Sequence, residues 1–216
     1  MTVEVRPYDP RDRAGLVAAF GAAGAGAPGG EAWGHEPSVA DVYLTPYLDL
    51  EPASVFVVTV DDLPAGYLAG CVDDAAFPSE EERFEVAARR HRIRLRPRPA
   101  LYLARAAYDA RVCRGRGEPV AEELDDPRWP SHLHIDIAAE ARGTGAGARL
   151  MELWFDRLRS VGSPGCYLQT SAENARAIGF FEHVGFRKHG PTPVVPGSRY
   201  QGRIMHQQTM VRETTR

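Results

Sequence analysis

The stretch from His132 to Gly162 constrains this chain's architecture more than any other. Leu133, Ile135 and Ile137 alternate with His132, His134 and Asp136, the period of a strand with one apolar face. A tight turn follows: Arg142, Gly143, Thr144, Gly145, Ala146 and Gly147. Leu150, Met151, Trp154, Leu158 and Val161 then recur at helical spacing. The start of a helix carries unpaired backbone N–H groups and the positive end of the macrodipole. Glycines there let an anion approach the backbone, because no Cβ stands in the way. The turn is therefore a candidate pyrophosphate cradle, although an ordinary glycine-rich β–α connection has the same composition. A P-loop is excluded, since it needs a lysine after its last glycine and the single lysine is Lys188. A dinucleotide fingerprint is excluded because the glycines at 143, 145 and 147 are spaced by twos.

Around this unit the chain reads as alternating strands and helices. Val3 to Arg6 forms a strand, and a helix follows with Asp9 at its N-cap and Pro10 at its first position. Gly21 to Gly34 reads as a glycine–alanine loop. Ser38 to Leu50 reads as one helix capped by Ser38 and broken before Pro46. Ala53 to Val60 and Gly66 to Val72 make a hairpin. The residues from about 74 to 130 interrupt the pattern as a helical insertion. Ser79 and Glu82 supply a capping box, Glu85 and Arg89 an i,i+4 pair, and a second helix runs roughly from Pro99 to Val112. After the central unit come a strand (Gly165 to Ser171), a short helix stopped by Gly185, a strand from Phe186 to His189, a loop over Pro191 to Arg203, and a last strand from Ile204 to Val211.

The turn from Arg142 to Gly147 resembles the acetyl-CoA signature of the GNAT N-acetyltransferase superfamily, Arg/Gln-x-x-Gly-x-Gly/Ala, with Arg142, Gly145 and Gly147 in the defined positions. Glu173 to Phe186 is similar to a second signature of that family, with Asn174, Ala177, Gly185 and Phe186 matching at the right spacing. The element order is also that of the family. The resemblance implies a single α/β (α+β) domain over 1–216, with a mixed, mostly antiparallel sheet flanked by helices and a helical insertion between the third and fourth strands. It implies acetyl-CoA as cosubstrate, held by Arg142, Gly143, Thr144, Gly145, Ala146 and Gly147, by Asn174 and the Phe181 position, and by backbone groups of Ile135, Ile137 and Ala138. Pro130 to Ala138, with the insertion before it, is more narrowly similar to the acetyltransferase-like domain of O-GlcNAcases and its bacterial relatives.

The chemistry implied is direct acetyl transfer to a primary amine. A protonated amine has no lone pair, so it must first lose a proton to a base. Strand alternation puts His132, His134 and Asp136 on one face; the resemblance favours Asp136 as the base, with His134 second. One position departs: Phe181 stands where the family has the tyrosine that protonates the departing thiolate, and phenylalanine has no such proton. Tyr167, a water or bulk solvent would then serve. The alternative is a non-catalytic, acyl-CoA-binding pseudo-acetyltransferase acting as sensor or scaffold. The acceptor side is expected around Trp33, His35, Tyr43 and Tyr47 and the loop with Tyr200.

Composition narrows the partners. A net charge of −3 argues against nucleic acid, and the arginine run from Arg89 to Arg98 reads as a solvated face balanced by Glu80, Glu81, Glu82 and Glu85. No apolar run is long enough to span a membrane, and no signal-peptide core is present at the N-terminus. Three widely spaced cysteines fit a reducing compartment, so a cytoplasmic location is expected, with no metal site. One lysine among many arginines reads as GC-rich bacterial coding. A homodimer through the insertion is compatible with these features.

Overall fold

The computed structural model describes residues 1–23, 28 and 32–214. Eight strands are described: β1 (Val3–Pro7), β2 (Val55–Val60), β3 (Leu63–Cys71), β4 (Ser131–Ile137), β5 (Gly165–Ser171), β6 (Arg187–His189), β7 (Val194–Tyr200) and β8 (Arg203–Glu213). They form one sheet in the order β1-β2-β3-β4-β5-β8-β6, with β7 also on β8. Every pairing is antiparallel except β4 with β5. The helices are α1 (Arg13–Ala23), α2 (Glu36–Tyr43), α3 (Thr45–Leu50), α4 (Glu80–Arg90), α5 (Pro97–Arg116), α6 (Ala146–Val161) and α7 (Ala175–His183).

Two apolar layers sandwich the sheet. On one face α6 lays Leu150, Met151, Trp154 and Leu158 against Leu68, Leu133 and Leu168, all buried. Gly70 is needed for this packing, because a Cβ there would lie 2.3 Å from the Trp154 ring. On the other face Leu16, Leu44, Tyr47 and Leu48 of α1 to α3 cover Val55, Val57, Tyr67, Ala69 and Cys71. Period-2 alternation in β3 and β4 sends successive side chains to these two layers.

The helical insertion lies between β3 and β4, where the sequence places it. The Ser79 capping box forms as expected. Asp109 of α5 accepts from Arg199 of β7 at 2.7 and 2.8 Å and from the Gly197 N–H at 2.9 Å. Asp41 of α2 accepts from Arg90 and lies against His91 Nε2. The insertion is thus tied to β7 through α5 and to α2 through α4 and the residue after it.

Several local expectations are corrected. Ser38 is not a cap but an inner residue of α2; the His35 ring accepts from its N–H instead, and the segment is two helices. The stretch expected as a loop contains β7, since Pro196 and Gly197 mark a bulge between Val195 and Arg199 and do not end the strand. α1 runs through Ala23, and much of the glycine–alanine loop, at 24–27 and 29–31, lies outside the described residues. α5 starts earlier and ends later than expected, stopped by Gly117 in the left-handed conformation. The carboxylate of Glu85 pairs with Arg94, while Arg89 donates to the Glu85 backbone. Glu80 does not face the arginine run; its carboxylate accepts from Tyr43 Oη at 2.6 Å.

Candidate active site

The site begins where β4 and β5 part. Their parallel ladder comprises only Ser131–Cys166 and His132–Tyr167, and beyond these the strands diverge. An antiparallel ladder exchanges hydrogen bonds at alternate pairs. The Ala138 N–H donates to Ala65 O, next in register after Gly66–Ile137. By this parity Asp136, His134 and His132 spend their backbone groups on β3. Leu133, Ile135 and Ile137 turn theirs toward the divergence, where Arg142 Nε donates to Ile137 O at 2.8 Å. Ala138 differs from the other two backbone positions expected to hold cofactor. Its N–H goes to Ala65 and its carbonyl accepts from Ala141, so neither faces the opening.

A groove of about 1320 Å³ runs through this opening to the opposite face of the sheet. His134, Ile135, Asp136, Asn174 and Phe181 line it, as do Trp33, Tyr43, Glu80 and Tyr102 on the insertion side. Asn174 caps α7, its Oδ1 accepting from the Ala177 N–H at 3.1 Å. Tyr200 and Tyr167 are not among the lining residues. Tyr167 is buried beside Trp129 and Val211, so it is poorly placed to protonate a leaving group in the groove. Trp33, expected to frame an acceptor, also packs in a small core and donates to Ser38 Oγ at 2.7 Å.

The glycine turn leads into α6. Gly145 is the N-cap at φ +87° and has no side chain to cap the helix, Thr144 Oγ1 accepts only weakly from the Ala146 N–H at 3.4 Å, and no acidic residue occupies the first turn. Gly143 is also left-handed at φ +77°, and a Cβ built on either glycine meets nothing within 4 Å. Beyond the Ala146 N–H the first turn has no side-chain partner, and the space beside the two glycines is open, which fits a pyrophosphate. Gly147 serves packing, as its Cβ would press on Phe180 and Ile137.

Asp136 is the most perturbed carboxyl of the groove. Burial pushes it up to about 6, against the opposing pull of the Tyr67 hydroxyl and the Arg142 charge. Tyr67 Oη donates to it at 3.1 Å from the adjoining strand. His134 is held well below the ordinary imidazole range by burial, reinforced by His132 and Arg83. Its Nε2 lies 3.0 Å from Tyr47 Oη. His132, on the same face, is no surface histidine: it is buried, with Nε2 against Tyr47 Oη and Nδ1 against Asp74. Arg83, 4% exposed, donates to Tyr47 Oη and Val42 O, both at 2.8 Å, and to Glu123. Cys71, Asp74 and His132 each bring one ligand-type atom within 4.8 Å of the others. Of these, His132 and Asp74 are already joined, and burial pushes the Cys71 thiol up.

The family model for the acetyltransferase (GNAT) family matches residues 26–186. The chain belongs to that family. Solved GNAT-type structures share the fold. SsHAT is 22% identical over the whole of both chains, with a TM-score of 0.64. The putative acetyltransferase yncA from Salmonella typhimurium, solved with its cofactor acetyl-CoA, is 14% identical over all of this chain and 95% of that one, with a TM-score of 0.60. A mycothiol acetyltransferase of Parafrankia sp. (strain EAN1pec) is 36% identical over 55 residues. That match spans 26% of this chain and only 17% of the curated relative's length. Among the described residues, no helix is long and apolar enough to cross a membrane.

Within this GNAT fold, the sequence missed Tyr67, Asp74, Arg83 and Glu123. The β3–β4 register opposes Tyr67 to Asp136, a pairing that no local pattern announces.

Proposed function

We propose that the chain is an acetyl-CoA-dependent N-acetyltransferase, acting as one domain that includes the insertion and moving an acetyl group directly to a primary amine. The observation that carries this is the Asp136 carboxyl, raised to about 6 and facing the groove where β4 leaves β5. A base of that strength is largely ionised near neutral pH and takes a proton readily. The glycine turn at Gly143 to Gly147 would receive the pyrophosphate, and Ile135 and Ile137 would pair with the pantetheine arm as an added strand. A backbone N–H at that edge would hold the tetrahedral oxyanion. The Asn174 amide would bond the same arm from α7.

Phe181 supports a second reading. It is buried among Phe180 and Phe186 and supplies no proton to a thiolate, as would suit an acyl-CoA-binding protein without turnover. Calorimetry with acetyl-CoA and CoA release over an amine panel separate the two. Transfer is expected, with micromolar binding that Gly145→Glu abolishes. Asp136→Asn is expected to lower turnover by about 10²–10⁴-fold while acetyl-CoA still binds. Binding without turnover on any amine selects the second reading; no binding removes both.

A further inference from the structure

The hydrogen bonds around Tyr47 fix a direction of proton flow. Arg83 can only donate, and it donates to Tyr47 Oη. The Asp74 carboxylate can only accept, so His132 Nδ1, 2.5 Å away, carries a hydrogen. In the neutral ring His132 Nε2 is then an acceptor, and its 2.5 Å contact with Tyr47 Oη is filled by the tyrosine's own hydrogen. Tyr47 has no hydrogen left for His134, so His134 Nε2 donates to Tyr47 Oη at 3.0 Å. This leaves His134 Nδ1 with a lone pair, on a residue that lines the groove, and no group among the described residues bonds it.

We propose that His134, Tyr47, His132 and Asp74 form a side-chain proton relay serving acetyl transfer, with His134 the catalytic residue and the other three positioning residues. The proposal rests on the reading of the groove as an N-acetyltransferase site. The acceptor ammonium gives a proton to His134 Nδ1. His134 Nε2 passes its own proton to Tyr47 Oη, and Tyr47 passes its hydroxyl proton to His132 Nε2. Three X–H bonds break and three form, no oxidation state changes, and the positive charge ends on His132 against the Asp74 carboxylate. Asp136 takes the second proton, released when the amine attacks the thioester, and yields it to solvent. The stored proton returns by the reverse path to the departing thiolate, the role that Phe181 leaves vacant.

The separation of ends is the reason for the relay. His134 is poorly able to hold a charge, because it is buried near Arg83 and His132. The far end has a carboxylate, and Asp74 is 28% exposed. The other titratable groups packed around the chain are Cys71 of β3, Tyr167 of β5, Glu80 and Arg83 of α4, Tyr43 of α2, and Glu123. The Cys71, Tyr43, Tyr47 and Tyr167 protons are all held more tightly than usual by burial.

Two measurements test this. In the wild-type protein with 15N-labelled histidine, long-range 1H–15N correlation near pH 8 is expected to show His132 as the Nδ1–H tautomer and His134 as the Nε2–H tautomer. The opposite tautomer at either residue overturns the relay, as does added zinc replacing the His132 Nδ1 proton at stoichiometric concentration. In kinetics, Tyr47→Phe is expected to lower kcat/KM about 10²-fold at pH 7, with the deficit shrinking as pH rises toward 10 and the amine deprotonates in solution. A deficit equal at every pH would mark a purely structural tyrosine and overturn the proposal. Asp74→Asn serves if Tyr47→Phe does not fold; loss of the fixed His132 tautomer with the same pH-dependent deficit supports the relay, and wild-type tautomer and profile overturn it. The expected tautomers without turnover on any amine would sink the transferase reading alone and leave the hydrogen-bond chain standing.

Discussion

The two faces of β4 are built by opposite means. Toward α6 the strand presents Leu133, Ile135 and Ile137 to an apolar layer whose buried members include Trp154 and Leu158. Toward α2 and α3 it presents His132, which is buried, and His134 and Asp136, which line the groove, to Tyr47 and Tyr67. The first face gains free energy from removing apolar area from water, and any filling of the right volume serves. The second loses free energy on burial and recovers it only through specific partners. The difference teaches that one side of a single strand is held by volume and the other by specific partners.

That contrast can be broken in four places, taken from the largest effect on stability to the smallest. Trp154→Ala should cost about 3–5 kcal/mol, read as a fall in urea midpoint, because the sheet around Gly70 is shaped to the indole. Arg83→Met strikes the polar side from outside the strand. It should cost about 3 kcal/mol, since it removes the partner of Glu123 and two donors to buried oxygens. An unchanged midpoint would mean the polar layer does not depend on its charge.

Asp136→Asn should have the reverse sign. The folded-state carboxyl is raised from 3.8 to about 6, so folding favours its neutral form. Its contribution to stability is full below about pH 4 and is lost as pH rises through about 6. At pH 8 the amide should therefore stabilise the protein by about 3 kcal/mol, shrinking to little at pH 4, while turnover falls. Thermal melts at the two pH values check it, and equal melts would show that Asp136 carries no such burden. Gly145→Ala is the mildest. Its φ of +87° should cost about 1 kcal/mol, and acetyl-CoA affinity by calorimetry should drop about tenfold.

The sequence revealed the apolar face well because its signal is local. Leu133, Ile135 and Ile137, then Leu150 to Leu158, announce strand and helix by their own spacing, and Gly145 marks the turn by its chemistry. The polar face is encoded at a distance. Tyr47 and His132 are 85 positions apart, and Tyr67 and Asp136 are 69 apart. Only the register of β3 on β4 and the docking of α3 bring them together. The same reason hid β7: Pro196 and Gly197 look like loop residues until β8 supplies the partner strand.

Ser131 and His132 are the last residues at which β4 and β5 are still paired. Ser131 Oγ is anchored there to Val72 O and Ser163 Oγ. They therefore stand at the apex of a wedge whose mouth is the groove. A change in the angle between two strands displaces their far ends most and their junction least. His132, where the charge of the relay comes to rest, sits at that junction. A change in that angle would move the mouth and leave His132 in place, so one strand serves as both a jaw and a fixed pin.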